Sequence, residues 1–226
     1  MGLISNNGED FSSFAIRRCQ IVFFVGFYCF SFRWILFFSF GRNLYLCPYI
    51  NNERKEMETT PITIKDEALR QGAEEGMDGF LQVFIDKYLE VTGGEISAAT
   101  MPLLNGYQHS LLGYHLLREE LNEGGFVQLI QNGYGPYIFD NPFAKAMRLF
   151  GAKEFSKLIY SAKKIYDEHR ADLEKERTDE EFMAMYEQYE AFDDLEEQFM
   201  DMEELVTAQL AEYVDEHLEE FAHIEG

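Results

Sequence analysis

The chain has 226 residues with 41 acidic and 19 basic side chains, a formal net charge of −22 at pH 7. Residues 57–226 alone hold 37 Asp or Glu against 13 Lys or Arg, hence a net charge of −24, and no cysteine. This balance argues against binding to nucleic acid or anionic lipid and favours a basic protein partner. About 170 residues make one domain of ordinary size, and the lack of cysteine excludes disulfide and thiol chemistry there.

Residues 1–56 have a different composition, with all three cysteines, the single tryptophan and ten of the 21 phenylalanines. Residues 21–40 are about long enough to span a bilayer, although Arg33 within them costs on the order of a few kcal/mol. Their Phe, Ser, Cys, Tyr and Ile are what T-rich non-coding DNA would encode. Residues 53–56, just before Met57, can be encoded by purines alone. A purine-rich stretch before a start codon is typical of a bacterial ribosome-binding site.

We therefore expect translation to begin at Met57 and residues 1–56 to be absent from the native protein. A membrane anchor formed by residues 1–56 is the alternative. Mass spectrometry of the native N-terminus distinguishes the two, because peptides from before Met57 would contradict the first. The protein is expected to be cytoplasmic and free of membrane contact if Met57 is the start.

From Met57 onward the sequence predicts helix after helix, without the alternating pattern of a strand and without an internal repeat. Glycines at positions 72, 76 and 79 predict short opening helices. A firmer helix starts near Asp78 and ends at the glycine pair 93–94. Five residues are predicted to share one side of it: Phe80, Val83, Phe84, Lys87 and Val91. The helical pattern resumes over residues 103–121.

Two more helices follow. Asn141 is a predicted cap before Pro142 at the first helical position, and Gly151 ends that helix. The next helix runs to about Glu176, and its apolar stripe consists of Phe155, Leu158, Ile159, Ala162 and Tyr166. The fold class is therefore all-α, a single compact domain of roughly eight or nine helices.

The last 49 residues, 178–226, carry 18 Asp or Glu and no Lys or Arg. A disordered tail is excluded, because apolar residues recur at steps of three or four. The two sets are Phe182, Met185, Tyr189 and Phe192, then Leu195, Phe199, Met202, Val206, Leu210, Tyr213, His217 and Phe221. This spacing predicts packed amphipathic helices with acidic outer faces. Capping boxes are predicted at Thr178 with Glu181 and at Asp193 with Glu196.

Enzyme signatures such as a nucleophile elbow, a phosphate loop or a dinucleotide fingerprint are absent from the sequence. Glu220 and His223 have one half of a di-iron spacing, but such bundles need two such motifs. His217 falls on the apolar stripe and is expected to be a core histidine. Residues 193–205 lack the central glycine of a calcium loop. We predict a non-enzymatic protein without a metal or another cofactor.

Residues 120–135 read ELNEGGFVQLIQNGYG. Gly124 and Gly125 predict a break in one helix, with the next helix starting close against it. Three apolar residues would anchor that helix: Phe126, Leu129 and Ile130. Asn132 and Gly133 suit its C-terminal cap. A tight interhelical corner is the favoured interpretation, and a polar ligand held by Gln128 and Asn132 is the alternative.

This segment, E-x-N-x-G-G-F-x-Q-x-x-x-N-x-x-G, is followed by the acidic-aromatic stretch LEEQF at 195–199 and a terminal helix with AEYVDEH at 211–217. Together they resemble the DMP-type bacterial DNA-mimic family, over most of residues 79–221. Glu123 stands where an asparagine is expected. The resemblance implies an all-helical domain that can form a homodimer and that presents carboxylates in place of DNA phosphates to a DNA-binding protein. The family-motif residues, expected to be structural, are Glu120, Asn122, Gly124, Gly125, Phe126, Gln128, Asn132 and Gly135.

The density of charge is compatible with that role. A wholly helical segment 178–226 would extend roughly 74 Å, so its charges would lie about 4 Å apart, against about 3.4 Å along one DNA strand. The predicted phosphate surrogates are Asp193, Asp194, Glu196, Glu197, Asp201, Glu203, Glu204, Glu212, Asp215, Glu216, Glu219 and Glu220. A solvated face kept for solubility is the structural alternative.

Our leading hypothesis is a regulator that occupies the DNA-binding site of a basic protein, such as a repressor or a nucleoid protein, without touching nucleic acid itself. The first alternative is an immunity-type inhibitor of a basic nuclease toxin. The second is a small-ligand protein or enzyme that uses the Gly-Gly-Phe corner.

Overall fold

The computed structural model describes residues 61–226, so the predictions for residues 1–56 and for the start at Met57 lie outside the described residues. Nine α-helices and one two-stranded sheet form within residues 61–226, which confirms the all-α class. Their bounds are β1 Thr63–Lys65, α1 Asp66–Glu74, α2 Met77–Thr92, α3 Gly106–Gln131, α4 Gly135–Phe139, α5 Phe143–Leu149, α6 Lys153–Leu173, α7 Asp179–Gln188, α8 Asp193–Glu216, α9 Leu218–Phe221 and β2 His223–Glu225.

Helices α1 and α2 approach each other closely at two glycines. A Cβ atom on Gly72 would lie 2.7 Å from the carbonyl oxygen of Gly79, so a larger residue would separate the helices. Helix α2 ends as predicted, because Gly93 adopts the left-handed conformation with φ of 67°. Its buried side differs in part from the predicted one: Tyr88 is fully buried whereas Val91 is 41% exposed.

Helix α3 runs through the centre of the fold and begins at Gly106, three residues after the predicted start. A 3₁₀-helix, Met101–Leu103, precedes it. The capping box is formed by Asn105, whose side chain accepts from the N–H of Gln108 at 2.9 Å, and by Gln108, which accepts from the N–H of Asn105 at 2.8 Å. Further along, Gly124 and Gly125 have non-helical backbone angles and kink the helix, as predicted.

One predicted helix cap between α4 and α5 is wrong. The side chain of Asn141 donates to the carbonyl of Tyr137 at 3.0 Å and so satisfies the end of α4 rather than the start of α5. Gly151 ends α5 with φ of 93°, as predicted. Helix α6 ends at Leu173, three residues before the predicted end, and all five residues of its predicted apolar stripe are buried.

The acidic C-terminal segment forms α7, a 3₁₀-helix at Glu190–Phe192, α8 and α9. The predicted capping box of Thr178 and Glu181 is confirmed. The one predicted at Asp193 and Glu196 is wrong, because α8 continues directly from the 3₁₀-helix and neither side chain caps it. Every residue of the two predicted apolar stripes is buried or half-buried.

A short parallel sheet was not predicted. Strand β1 pairs with β2, with Ile64 opposite Ile224, and the N–H of His223 donates to the carbonyl of Ile62 at 2.7 Å. Three-residue strands are too short to show an alternating pattern in sequence. The pairing ties the end of the chain to the segment that leads into α1.

Helix α9 closes the core through Phe221, which is fully buried. Its ring packs against the rings of Phe84, Tyr107, Phe150 and Tyr213. Its carbonyl accepts hydrogen bonds from Tyr88 Oη at 3.0 Å and from Gln108 Nε2 at 2.9 Å. None of the helices in residues 61–226 is both long and apolar enough to cross a membrane.

Candidate functional site

The outer faces of α8 and α9 carry a dense set of exposed carboxylates. Ten of the twelve predicted phosphate surrogates are exposed there, and we call these ten the acidic surface. They are Asp193, Asp194, Glu197, Asp201, Glu204, Glu212, Asp215, Glu216, Glu219 and Glu220. The structure places these ten side chains along two consecutive helices.

The acidic surface has two parts along α8 and α9. In the first, Asp194, Glu197, Asp201 and Glu204 follow one another at steps of three or four residues, so they share one ridge of α8. Residues 205–211 contain no carboxylate, and the second part begins at Glu212. Among residues 61–226, no Lys, Arg or His forms an ion pair with any member of the acidic surface.

Two large apolar side chains flank this ridge. Met200 is 44% exposed and Leu205 is 61% exposed. The opposite side of α8 is buried by Phe199, Val206 and Leu210, which pack against the rest of the fold. The exposed side of α8 therefore presents mainly carboxylates with apolar groups at its edges.

Glu203, a predicted phosphate surrogate, is engaged inside the fold instead. It is half-buried and forms an ion pair with Nε of Arg118 on α3, while Nη1 of the same guanidinium pairs with Asp78 on α2. Tyr114 supports this contact from α3, because its hydroxyl lies 2.7 Å from Oγ1 of Thr207, one helical turn after Glu203. Glu203 therefore joins α8 to α3, and through Arg118 to α2.

Glu196 is the second predicted surrogate with an internal contact. Its Oε1 accepts a hydrogen bond of 2.7 Å from the backbone N–H of Phe126, at the kink of α3. Burial raises the pKa of Glu196, the bond from Phe126 opposes that rise, and the charge of Asp193 adds to it. Gly125 leaves the space that this carboxylate occupies, since a Cβ there would lie 2.2 Å from Oε1.

The family-motif residues hold the kink together. Glu120, before the kink, accepts hydrogen bonds from Nε2 of Gln128 at 3.0 Å and from Nδ2 of Asn132 at 2.8 Å, both after it. Phe126 is fully buried, and Asn122 is exposed. Gly135 starts α4 so close to Tyr166 that a Cβ would lie 3.0 Å from its ring. Gln128 and Asn132 therefore bond to Glu120 across the kink.

A cleft of about 260 Å³ lies between α2 and α3. Its polar lining includes Asp78, Gln82, His115, Arg118, Glu119 and Asn122. Only Asn122 of the family motif reaches it, and neither Gln128 nor Asn132 does. The cleft thus lies apart from the corner that the ligand-binding alternative would use.

Of the two histidines near the acidic surface, His217 packs within the fold and His223 lies on its surface. His217 is half-buried, its ring stacks on Tyr213 with centroids 4.1 Å apart, and its Nδ1 lies 2.9 Å from the carbonyl of Tyr213. His223 is exposed on β2. Within residues 61–226 no group of three or more His, Cys, Asp or Glu side chains is arranged to hold a metal ion.

Comparison with known proteins gives the family. The model of the family described as DMP19-like protein matches residues 103–217, which contain the α3 kink and all of α8. The chain is also 30% identical over 166 residues to DNA mimic protein DMP19 of Neisseria meningitidis serogroup B, a match that covers 73% of this chain and 98% of that protein. The resemblance noted in the sequence is confirmed, and the chain belongs to the DMP19-like protein family.

Proposed function

We propose that this protein is a DNA-mimic-type regulator without enzymatic activity, whose acidic surface occupies the DNA-binding site of a basic protein such as a repressor or a nucleoid protein. The observation that carries the proposal is the row of exposed carboxylates on α8 and α9 that have no cationic partner within residues 61–226. Membership of the family supports the same class, since the Neisseria relative is a DNA mimic by name.

The spacing of charge on α8 supports this role. The helix has 24 residues and so extends about 36 Å. Eight members of the acidic surface lie on it, roughly one per 4.5 Å, compared with one phosphate per about 3.4 Å on a DNA strand. Arg and Lys side chains that normally bind phosphate can form charge-assisted hydrogen bonds with such carboxylates.

A face kept only for solubility would look different. Such surfaces usually intersperse charges of both signs, whereas residues 178–226 contain no Lys or Arg at all. Like charges at i,i+4, such as Glu197 and Asp201, also cost about 0.2–0.5 kcal/mol in an isolated helix. A surface whose charges are all negative despite their mutual repulsion favours a role in binding over a role in solubility alone.

The test begins with capture from native lysate. The purified protein is immobilised at low salt, bound proteins are eluted with a salt step, and duplex DNA is used as a competing eluent. We expect a DNA-binding protein that leaves with either salt or DNA. Its nuclease activity is then assayed, because a nuclease would favour the immunity-type alternative. Light scattering measures the oligomeric state, since the family resemblance implies a dimer.

Charge-matched variants then locate the surface. One variant carries Glu197→Gln, Asp201→Asn and Glu204→Gln. The control carries Glu67→Gln, Glu74→Gln and Glu75→Gln, which removes the same charge from exposed positions at α1. We expect the first to associate with the captured protein on the order of tenfold more slowly, because steering acts mainly on the on-rate. The control variant should slow this association much less. Equal binding by the two variants would remove this ridge from the partner surface.

A further inference from the structure

At the kink in α3, two backbone groups form hydrogen bonds with side chains of the acidic segment. In an unbroken helix each N–H bonds to the carbonyl four residues earlier, and groups freed at a break must find other partners. The carbonyl of Gly124 accepts from the hydroxyl of Tyr186 on α7 at 3.0 Å. The N–H of Phe126 donates to Glu196 on α8 at 2.7 Å. Both acidic helices thus attach to one site.

The side chains around the kink add to this attachment. The ring of Phe126 packs on the ring of Phe192, which lies between α7 and α8, with centroids 5.2 Å apart. Both rings are buried. Helix α7 itself buries only Met185. Contacts at the kink therefore act together with the bonds from Gln188 and Tyr189 to Asp172 of α6 in holding α7 and the start of α8 against the rest of the domain.

We infer that Glu196 is a positioning residue, which fixes the start of α8 on the kink of α3 and thereby sets where the acidic surface stands. Its carboxylate serves as a hydrogen-bond acceptor for Phe126 rather than as a phosphate surrogate. The part of this inference that concerns partner binding rests on the proposed function. The attachment of α8 to the kink does not.

Gly125 is the matching half of this contact. Its φ of 74° lies in the left-handed region that disfavours other residues. A Cβ there would also lie 2.2 Å from Oε1 of Glu196. At Gly124 the φ is −163°, which any residue adopts, and the atoms nearest to a Cβ there belong to the side chain of Gln128 and not to Glu196. Gly125→Ala should therefore displace Glu196, whereas Gly124→Ala should leave it in place.

Hydrogen exchange followed by mass spectrometry tests the attachment on the protein alone. The variants are Glu196→Ala, Glu196→Gln and Glu197→Ala, the last being the same change at the exposed neighbouring residue. We expect Glu196→Ala to speed exchange on the order of tenfold in α7, at the start of α8 and at the kink, while α1, α2 and α6 stay protected. Glu196→Gln should keep the wild-type pattern, because its amide oxygen still accepts from Phe126.

Three outcomes would overturn the inference. One is a rate of hydrogen exchange at the kink and the start of α8 that is the same in Glu196→Ala as in Glu197→Ala. Another is a loss of protection spread evenly over the described domain, which would mark a general loss of stability. The third is Glu196→Gln exchanging as fast as the alanine variant, which would show that the charge and not the hydrogen bond holds α8. If Glu196→Ala does not fold, the isosteric variant Glu196→Gln is measured alone. Protection from exchange that is retained at the kink would support the inference. Protection that is lost there would contradict it.

Binding to the protein captured from lysate separates this inference from the proposed function. Glu196→Gln should bind like the wild type although it has lost a charge, whereas Glu197→Gln should bind more slowly. Equal weakening by both would make Glu196 a phosphate surrogate and overturn its positioning role. If the captured protein binds DNA and this protein at the same time while the exchange result holds, the proposed function fails and the positioning of α8 stands.

Discussion

At the scale of single residues, neighbouring carboxylates of α8 have different surroundings. Glu196 is half-buried and accepts from the N–H of Phe126, whereas Glu197 is exposed and belongs to the ridge of the acidic surface. One step along a helix turns a side chain by about 100°, so adjacent residues face different neighbours. The role of an acidic residue here depends on what its side chain touches, and a count of charges alone overstates the surface open to a partner.

A half-buried histidine should make stability depend on pH. His109 lies between two groups of the fold: its Nε2 is 2.8 Å from the carbonyl of Met101, and its Nδ1 is 2.9 Å from the hydroxyl of Tyr137. Burial lowers the pKa of His109 below 6.5, and the bond to Met101 opposes this only in part. The unfolded chain therefore takes up a proton first as the pH falls, and the free energy of unfolding decreases below about pH 6.5.

Replacing His109 with Gln should remove that contribution. We expect the loss in unfolding free energy between pH 7 and pH 5 to be smaller for His109→Gln than for the wild type, as measured by urea denaturation. Carboxylate titration occurs in both proteins, so the difference between them reports on His109. His115, whose pKa is also lowered by burial, remains in both. An identical pH dependence in the two proteins would contradict this assignment.

At the scale of elements, the four-residue helix α9 depends on tertiary contacts. An isolated helix of this length is not stable in water, yet Phe221 lies in a cluster of aromatic rings and its carbonyl accepts two side-chain hydrogen bonds. The preceding residue contributes as well, because Nδ2 of Asn105 donates to the carbonyl of Glu220 at 2.8 Å. The end of the acidic surface is therefore fixed to the start of α3.

Removing the Phe221 ring should destabilise the whole domain. We expect Phe221→Ala to lower the free energy of unfolding by about 3–5 kcal/mol, because a fully buried phenyl ring leaves a cavity. Tyr160→Ala is the control, since Tyr160 is 52% exposed and surface substitutions usually stay within about 0.5 kcal/mol. Chemical denaturation of both variants gives the comparison. A change below about 1 kcal/mol at Phe221 would mean that α9 is not part of the cooperative core.

Elements that depend on local pattern were predictable, and those that depend on distant partners were not. The apolar stripes of α6 and α8 and the capping box of Thr178 involve residues three or four positions apart. Asp193 and Glu196 have capping-box spacing too, but Glu196 bonds to a residue 70 positions away. The pairing of β1 with β2 joins the two ends of the described chain.

The residues of the candidate site divide in the same way, into those that local sequence predicts and those that depend on distant partners. Its exposed carboxylates could be predicted from the helical period, because they oppose the apolar stripe of α8. The internal partner of Glu203 could not, since Arg118 lies on another helix. The attachment of Tyr186 to the α3 kink also depends on tertiary contact.

At the scale of the whole molecule, the fold carries its charge unevenly. The nine ion pairs within residues 61–226 involve only one carboxylate of residues 178–226, Glu203. The remaining carboxylates of that segment repel one another across α7, α8 and α9. Packing of the apolar stripes must offset this repulsion in the absence of a partner.

Salt should therefore stabilise the protein. Raising the ionic strength from about 0.01 M to about 0.15 M shortens the screening length from about 30 Å to about 8 Å. We expect the Tm of the purified protein to rise over this range, as measured by circular dichroism. The variant with Glu197, Asp201 and Glu204 neutralised should show a smaller rise. A Tm that stays constant or falls with salt in the wild type would count against unrelieved repulsion.

The central claim is that this protein and DNA compete for one site on a basic protein, and a mutual-exclusion measurement tests it most directly. The captured partner is saturated with fluorescent duplex DNA and titrated with the protein, while anisotropy reports on the DNA and gel filtration on the complexes. We predict that DNA is released in proportion to the protein bound, and that the variant neutralised at Glu197, Asp201 and Glu204 releases it less effectively. A stable complex containing the partner, the DNA and this protein together would contradict mimicry.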